Sequence, residues 1–208
     1  MHASAFEHGR LFFDTYVRRL GPVDVIDVGA MDVNGSLRDC APESVRYLGL
    51  DVAPGKGVDR VLDDPYLFPL PDASVDVAVS SSCFEHVPMY WLTFLEILRV
   101  LKDGGLFYLN VPSRFVYHAF PVDCHRFMPD SGPALAAWGR RSGMDVTVLE
   151  HYSVDNLDPV AGPICDYVCV FLKNEGAVTA HPERLLHRVR GASHARLYPD
   201  LDTFLAAP

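Results

Sequence analysis

Residues 25–36, VIDVGAMDVNGS, begin as a buried strand and continue into a glycine turn. Gly29 and Gly35 have no side chain, so the backbone there can approach a ligand closely or adopt a positive φ. Met31 and Val33 stand between them, where the G-x-G-x-x-G turn of a dinucleotide-binding fold would have more glycine. The turn therefore lacks the close packing that a pyrophosphate favours, which argues against NAD. By itself it also fits a simple connection between a strand and a helix.

Short apolar runs alternate with stretches of helical spacing along the chain. The predicted strands are residues 25–28, 47–50, 58–62, 75–79, 106–111, 146–149 and 167–172. The predicted helices are residues 8–20, 91–101 and 131–138. Gly104 and Gly105 suit a C-terminal cap for the second helix. Strand, crossover and strand in repeated order predict an α/β fold, in which helices cover both faces of a parallel sheet.

Size and composition indicate one globular domain. The chain has 208 residues, of which 49 % are hydrophobic and 22 % are charged, enough to build a sizeable core. We expect a single domain over residues 1–174, which includes the N-terminal helix 8–20, and a C-terminal extension over residues 175–208. The sequence leaves the oligomeric state open.

Charge and cysteine content exclude several classes of partner and location. A formal net charge of −9 argues against nucleic acid as the main partner, because phosphate binding needs a basic surface. The N-terminus has no apolar signal region and no segment is long enough to cross a bilayer, so we expect no membrane span. Five scattered cysteines without paired C-x-x-C elements predict reduced thiols and a cytoplasmic location.

Small and acidic residues follow four of the predicted strands. They are Gly29, Asp51, the pair Asp63 and Asp64, and residues 80–82. In parallel α/β sheets the ligand lies beyond the carboxyl ends of the strands, so we expect these residues to converge there. Asp51 follows Gly29 at the separation at which an acidic residue binds ribose hydroxyls. This pattern predicts a ligand with an adenosine moiety and a free ribose.

Five motifs occur in an order that is typical of one enzyme family. The first is VIDVGAMDVNGS, the second is YLGLDVAPGKGVD, the third and fourth together are VLDDPYLFPLPDASVDVAVSSSCFEHV, and the fifth is LRVLKDGGLFYLNVPS. From about residue 23 to residue 173 the chain resembles the Rossmann-like class I S-adenosylmethionine-dependent methyltransferases, of the methyltransferase type 11-like group. That group includes small-molecule and glycan-modifying enzymes. The resemblance implies a mostly parallel, seven-stranded sheet with an antiparallel last strand, to which MDVTVLEHY and DYVCVFLK contribute the final hairpin.

The resemblance also implies S-adenosyl-L-methionine as the cofactor. Asp27, Gly29 and Ala30 would hold its methionine end, and Gly35 would close the turn. Asp51 would bind the ribose diol. The AMDVNG turn, which is less rich in glycine than the family's usual turn, is the main departure from the pattern.

The rest of the implied cofactor site comes from the third and fourth motifs. Asp63 or Asp64 would face the adenine amino group. Three consecutive residues would run beneath the cofactor: Ser81, Ser82 and Cys83. His86 would lie close to the methyl group, although a histidine there can also simply bond to backbone at the end of a strand.

The segment SRFVYHAFPVDCHRFMPDS, residues 113–131, predicts an acceptor site at the same edge of the sheet. It is dense in groups that can bind or deprotonate a polar acceptor: Arg114, Tyr117, His118, Asp123, His125 and Arg126. Related methyltransferases often carry a similar P-x-D-x-x-R-F stretch here. We expect Tyr117, Asp123 and Arg126 to contact the acceptor, unless the last two only pair with each other to pin the loop.

A histidine of this segment is the expected catalytic base. His118 is the first candidate, His125 the second and His86 the third, because imidazole can take a hydroxyl proton near neutral pH. We predict no metal site, since the spacing of His118, Asp123 and His125 matches no strong metal signature.

The sequence therefore predicts a methyltransferase that acts on a small polar acceptor, such as a sugar, glycan or natural-product hydroxyl or amine. Two alternatives remain. An NAD-dependent oxidoreductase or epimerase is disfavoured by the interrupted glycine pattern and by the lack of a Tyr-x-x-x-Lys pair. A cofactor-binding subunit without activity would keep the fold and lack an acceptor site.

Overall fold

The computed structural model describes residues 2–159 and 162–200, in which eight strands form one sheet. The strands are β1 (Asp24–Val28), β2 (Arg46–Asp51), β3 (Arg60–Val61), β4 (Val75–Ser81), β5 (Leu101–Arg114), β6 (Val146–Asp158), β7 (Gly162–Lys173) and β8 (Ala192–Leu197). The α-helices are α1 (Ala3–Phe12), α2 (Tyr90–Val100) and α3 (Ser131–Arg141). Short 3-10 helices cover Leu37–Cys40, Phe84–His86, Glu175–Ala180 and Leu185–Arg188.

The sheet has the order β3-β2-β1-β4-β5-β7-β6-β8. Strands β3, β2, β1, β4 and β5 pair in parallel, whereas β7 pairs antiparallel with both β5 and β6. The predicted α/β class, with its mostly parallel sheet and a late antiparallel strand, is confirmed. Because β1 lies between β2 and β4, the strand order reverses beside it, and this is the position at which such sheets bind ligands.

The prediction of seven strands was one strand short. Residues 192–197 form β8, which pairs antiparallel with β6. This strand is only partly buried and its sequence, ASHARL, has no apolar alternation, so backbone hydrogen bonds hold it rather than a hydrophobic face. The C-terminal extension also contributes Leu185, which is fully buried against the sheet.

The N-terminal helix lies earlier than the predicted residues 8–20. It begins at Ala3, ends as an α-helix at Phe12 and continues as a π-helix over Phe13–Val17. The apolar spacing beyond Phe12 is therefore present but belongs to a wider helical turn. Its buried aromatic residues pack on one face of the sheet, where Phe12 lies 4.7 Å from Tyr108 between ring centroids.

The opposite face of the sheet is covered by α2 and α3. Phe94 of α2 packs edge-to-face on Phe171 of β7, with 5.0 Å between the ring centroids. The predicted glycine cap of α2 was wrong, because α2 ends at Val100 and Leu101 already pairs with β4. Gly104 adopts a φ of +79° within the start of β5, so this glycine bends a strand and does not end a helix.

Two whole-chain expectations concern helices and cysteines. No helix in residues 2–159 and 162–200 is both long enough and apolar enough to span a bilayer. All five cysteines are free thiols. The cytoplasmic location itself stays a prediction.

Candidate active site

A pocket of about 730 Å³ lies at the carboxyl ends of the parallel strands. Its wall consists of the turns after β1 and β2, the segment after β4, and part of the loop after β5. Cavities of this size are typical of small-molecule and cofactor sites. Topology therefore brings most of the sequence-predicted cofactor residues together.

The glycine turn after β1 forms one side of the pocket. Gly29 has a φ of +86°, and a Cβ added there would lie 2.5 Å from both Cβ and Sγ of Cys83. The N–H groups of Gly29 and Ala30 both donate to the carbonyl of Leu50, at 2.9 and 3.0 Å. Gly35 closes the turn, with a φ of +111° and an N–H that donates to Asp32 Oδ1 at 2.7 Å. All three predicted turn residues line the pocket.

Asp51 lines the pocket at the end of β2 and organises the turn beside it. Its Oδ2 accepts the Met31 N–H at 3.1 Å, and its Oδ1 accepts the Ala53 N–H at 3.2 Å. Each carboxylate oxygen has a second acceptor site, so the same group can also bind a diol.

Asp27 lies deeper, on β1, and is buried. It accepts a hydrogen bond from the Tyr47 hydroxyl at 2.8 Å. Burial raises the pKa of the Asp27 carboxyl to about 7, although the Tyr47 hydrogen bond favours the charged form. Asp27 lines the pocket, where a nearby cationic group would favour the charged form of this carboxyl.

Asp63 and Asp64 lie outside the pocket lining. Both are exposed beside a separate shallow depression, while Leu62 and Pro65 line the main pocket. Asp64 Oδ1 accepts the Tyr66 N–H at 2.8 Å, which shapes the local turn. An adenine contact from either carboxylate stays a prediction.

The segment after β4 forms the floor of the pocket. Ser82 adopts a φ of +52° and donates its N–H to Asn110 O at 2.9 Å, which directs the chain sharply away from the sheet. The Ser81 hydroxyl is buried and has no hydrogen-bond partner in the part of the chain that the structure describes. Burial raises the pKa of the Cys83 thiol, so it stays neutral. These three residues line the pocket as predicted.

Glu85 and His86 follow on the same side of the pocket. Glu85 is 1 % exposed, and its Oε2 has no hydrogen-bond partner within residues 2–159 and 162–200. Burial raises the pKa of the Glu85 carboxyl to about 8. His86 Nε2 lies 3.7 Å from Glu85 Oε1, and its Nδ1–H donates to Val122 O at 2.5 Å. Burial lowers the pKa of His86, which favours the neutral ring.

His118 completes this cluster from the loop after β5. Its ring packs edge-to-face on His86 and on Phe115, with 4.8 and 4.6 Å between centroids. The His118 Nδ1–H donates to Val116 O at 3.0 Å, and its backbone N–H donates to Asp123 Oδ2 at 2.8 Å. The loop therefore places one predicted base directly against another.

Asp123 and Arg126 form a bidentate ion pair beside the cluster. The two guanidinium nitrogens donate to Oδ1 and Oδ2 of Asp123 at 2.5 and 2.7 Å. The Asp123 side chain is 1 % exposed, and the Arg126 guanidinium holds the pKa of this carboxyl well below its usual range. Neither residue lines the pocket, so they meet each other as the pinning interpretation expected.

His125 and Tyr117 also lie outside the pocket lining. His125 Nε2 is 3.2 Å from Pro88 O, and its ring packs on Tyr90 at 4.8 Å between centroids. Tyr117 is 77 % exposed. The structure thus separates these two predicted residues from the cluster around His118.

Residues 14–109 match the family model described as "Methyltransferase domain". An uncharacterized methyltransferase of Mycobacterium avium is 38 % identical over 81 residues, which cover 34 % of this chain. The chain spans 32 %, or about a third, of the length of that curated relative.

Solved structures share the fold over most of the chain. The Burkholderia thailandensis 1,6-didemethyltoxoflavin-N1-methyltransferase, with 1,6-didemethyltoxoflavin and S-adenosylhomocysteine bound, superposes with a TM-score of 0.60 at 19 % identity. The superposition covers 83 % of this chain and 79 % of that one. Residues 14–109, just under half of the chain, therefore resemble a methyltransferase domain, and the chain has the Rossmann-like fold of class I S-adenosylmethionine-dependent methyltransferases.

The class I methyltransferase fold also occurs in a protein named for another reaction. The [4+2]-cyclase SpnF superposes with a TM-score of 0.58 at 16 % identity, over 81 % of each chain. The fold alone therefore does not determine the reaction, which has to be argued from the site.

Two acidic residues of this pocket were missed by sequence reasoning. Glu85 precedes His86 in the segment that follows β4, and that position was the available signal. Asp166 of β7 also lines the pocket and accepts the Ser4 hydroxyl at 2.5 Å. No local pattern indicates Asp166, because the late hairpin brings it to the pocket over a long sequence separation.

Proposed function

We propose that this protein transfers a methyl group from S-adenosylmethionine to a small polar acceptor. The observation that supports the proposal is that two different groups of residues form the walls of one pocket. The glycine turn and Asp51 form a cofactor-like wall, and Glu85, His86 and His118 form a wall of acid–base groups. The match of residues 14–109 to a methyltransferase domain supports use of this cofactor.

The residues present fit the cofactor. Gly29 and Ala30 line the part of the pocket that would hold a methionine end, and Asp27 lines it beside them. Asp51 would bind the ribose, and the apolar side chains of Val52 and Leu62 would contact the adenine. The buried Ser81 hydroxyl, which lacks a partner, offers a polar contact on the floor.

Methyl transfer demands little of the protein beyond alignment and proton removal. S-adenosylmethionine would supply an activated methyl group, so the protein mainly positions the acceptor in line with it. His118 is the best placed histidine to take a hydroxyl proton, because it lines the pocket and its Nδ1–H is held by a carbonyl. Its Nε2 is then the free acceptor. The Asp123–Arg126 pair would act by holding His118 in place.

The acceptor class follows from this wall. A hydroxyl or amine of a sugar, glycan or natural product would meet imidazole and carboxyl groups there. Arg114 and Asp166 line the same end of the pocket and add one charge of each sign. A turnover assay with radiolabelled S-adenosylmethionine and a panel of such acceptors tests the proposal. Labelled product supports it, and cofactor binding without turnover on any acceptor would favour a non-catalytic subunit.

Binding of S-adenosylhomocysteine should stabilise the folded protein, whereas NAD should not. A ligand at 100 times its Kd adds about 2.7 kcal/mol to the free energy of unfolding. For a domain of this size that corresponds to roughly 5–10 °C in Tm. Thermal unfolding with each ligand at equal concentration is the measurement. A rise with NAD alone would favour the oxidoreductase or epimerase alternative.

Asp51→Ala should weaken S-adenosylhomocysteine binding by roughly tenfold or more, because two charge-assisted bonds to the ribose diol are lost. Asp51→Asn is the matched variant, since it keeps one oxygen acceptor and should lose less affinity. Calorimetry on the folded variants gives both values. Unchanged affinity in Asp51→Ala would place the ribose elsewhere.

A further inference from the structure

We propose that Glu85, His86 and His118 bind one divalent transition-metal ion, such as Zn²⁺. One ligand atom from each residue lies within 4.8 Å of the other two. Two imidazole nitrogens and one carboxylate oxygen are a donor set that such ions prefer. The sequence predicted no metal site, because His118 was considered as a ligand only together with Asp123 and His125 of the same loop. The structure pairs His118 with residues more than 30 positions earlier.

Small side-chain movements would complete the coordination. Metal–ligand bonds of about 2.0–2.1 Å in a tetrahedral site put the donor atoms about 3.4 Å apart. His86 Nε2 and Glu85 Oε1 are already 3.7 Å apart. The His118 nitrogen, which lies within 4.8 Å of the other two donors, therefore has to approach by up to about 1.4 Å, which a rotation of the partly exposed His118 ring allows.

Both imidazoles are already in the tautomer that binds metal. His86 Nδ1 is 2.5 Å from Val122 O, and His118 Nδ1 is 3.0 Å from Val116 O. A carbonyl oxygen only accepts, so each Nδ1 carries the proton and each Nε2 keeps a lone pair. Metal-binding histidines almost always have their second nitrogen held in this way.

The Glu85 carboxylate supplies an independent reason for a cation. This side chain is 1 % exposed, and its Oε2 is buried without any hydrogen-bond partner among the described residues. An unsatisfied buried carboxylate oxygen is costly, and native proteins usually give such a group a partner. A metal ion between Glu85 and the two histidines would be that partner.

The ion would remain accessible from the pocket, because all three residues line it. Open coordination positions would face the space where an acceptor binds; this last point rests on the proposed function. A His118 nitrogen that binds an ion cannot accept a proton at the same time. The base role described above therefore applies to the ion-free protein.

The test uses metal alone, without cofactor or acceptor. The full chain is stripped with a chelator, loaded with Zn²⁺ and desalted, and its bound zinc is measured by elemental analysis and calorimetry. Co²⁺ loading adds an absorption spectrum that reports tetrahedral nitrogen and oxygen ligands. We expect about one equivalent in the unmodified protein. Glu85→Gln and His118→Ala should each weaken Zn²⁺ binding by at least about 10–100-fold. Loss of a residue that only hydrogen-bonds to a metal ligand already weakens metal affinity by about that factor.

His187→Ala is the control, since this exposed histidine lies outside the pocket and should not affect binding. Thermal unfolding verifies that each variant is folded. Retention of less than a tenth of an equivalent by the unmodified protein, or equal binding by Glu85→Gln and His118→Ala, would overturn the proposal. Either result leaves the cofactor-binding experiments untouched, so the two proposals fail separately.

Discussion

Gly29→Ala is expected to lower the free energy of unfolding by about 2–4 kcal/mol and to abolish the stabilisation by S-adenosylhomocysteine. Positive φ costs an alanine about 1 kcal/mol, and overpacking adds about 1–3 kcal/mol. The overpacking arises because the new Cβ would lie 2.5 Å from Cβ and Sγ of Cys83. Urea unfolding with and without ligand measures both effects.

Gly143→Ala is the matched control for this substitution. Gly143 has a φ of +87°, almost the same as at Gly29, but a Cβ there would meet nothing within 4 Å. Gly143→Ala should therefore lose only the roughly 1 kcal/mol that a positive φ costs an alanine. S-adenosylhomocysteine should stabilise this variant as much as it stabilises the unmodified protein. The double variant Gly29→Ala with Cys83→Gly should recover part of the lost stability. If Gly29→Ala proves no less stable than Gly143→Ala, the turn is free to move away from Cys83.

His118→Ala is expected to reduce turnover about a hundredfold while leaving S-adenosylhomocysteine affinity intact. In the proposed arrangement His118 contacts the acceptor, whereas the glycine turn after β1, a different part of the pocket lining, holds the cofactor. Its removal therefore affects the transition state and not cofactor binding. Single-turnover kinetics with an identified acceptor, together with calorimetry for the cofactor product, measure the two quantities.

Three comparisons make the His118 result specific. His187→Ala should be fully active. A chelator in the assay separates proton removal by His118 from any effect of a bound ion, because only the first survives chelation. Full activity in both His118→Ala and His125→Ala would exclude the loop histidines as the base and leave His86.

The cofactor wall was largely predictable because its signals are local. Gly29, Asp51 and Ser81 each end a short apolar run, and parallel strands bring such ends to one edge of a sheet. A position just after a strand was a weaker indicator for Asp63 and Asp64. The two-residue strand before them is exposed, so the sequence did not determine which nearby side chains face the pocket.

The pocket wall formed by Glu85, His86 and His118 was only partly predictable, because it depends on the loop after β5 folding over the segment after β4. The carbonyl of Glu85 accepts the N–H groups of Cys124 and His125, at 2.7 and 3.1 Å. This contact buries Glu85 and turns His125 towards Pro88, while His118 meets His86. Residue types and spacing predicted an acceptor site on this loop, but the burial and the partners of its side chains depend on its docked conformation.

The packing of the N-terminal helix has a consequence for how the chain acquires its fold. Ser4 bonds to Asp166 and Tyr16 bonds to Glu150, partners 162 and 134 positions later. At ribosomal rates of about 5–20 residues per second, roughly 8–30 s separate the synthesis of such partners. Contacts between residues so far apart in sequence also slow folding. The entropy cost of closing the loop arises before the contacts can stabilise the chain. We expect the buried aromatic face of α1 to remain a chaperone-accessible surface until the late hairpin has formed.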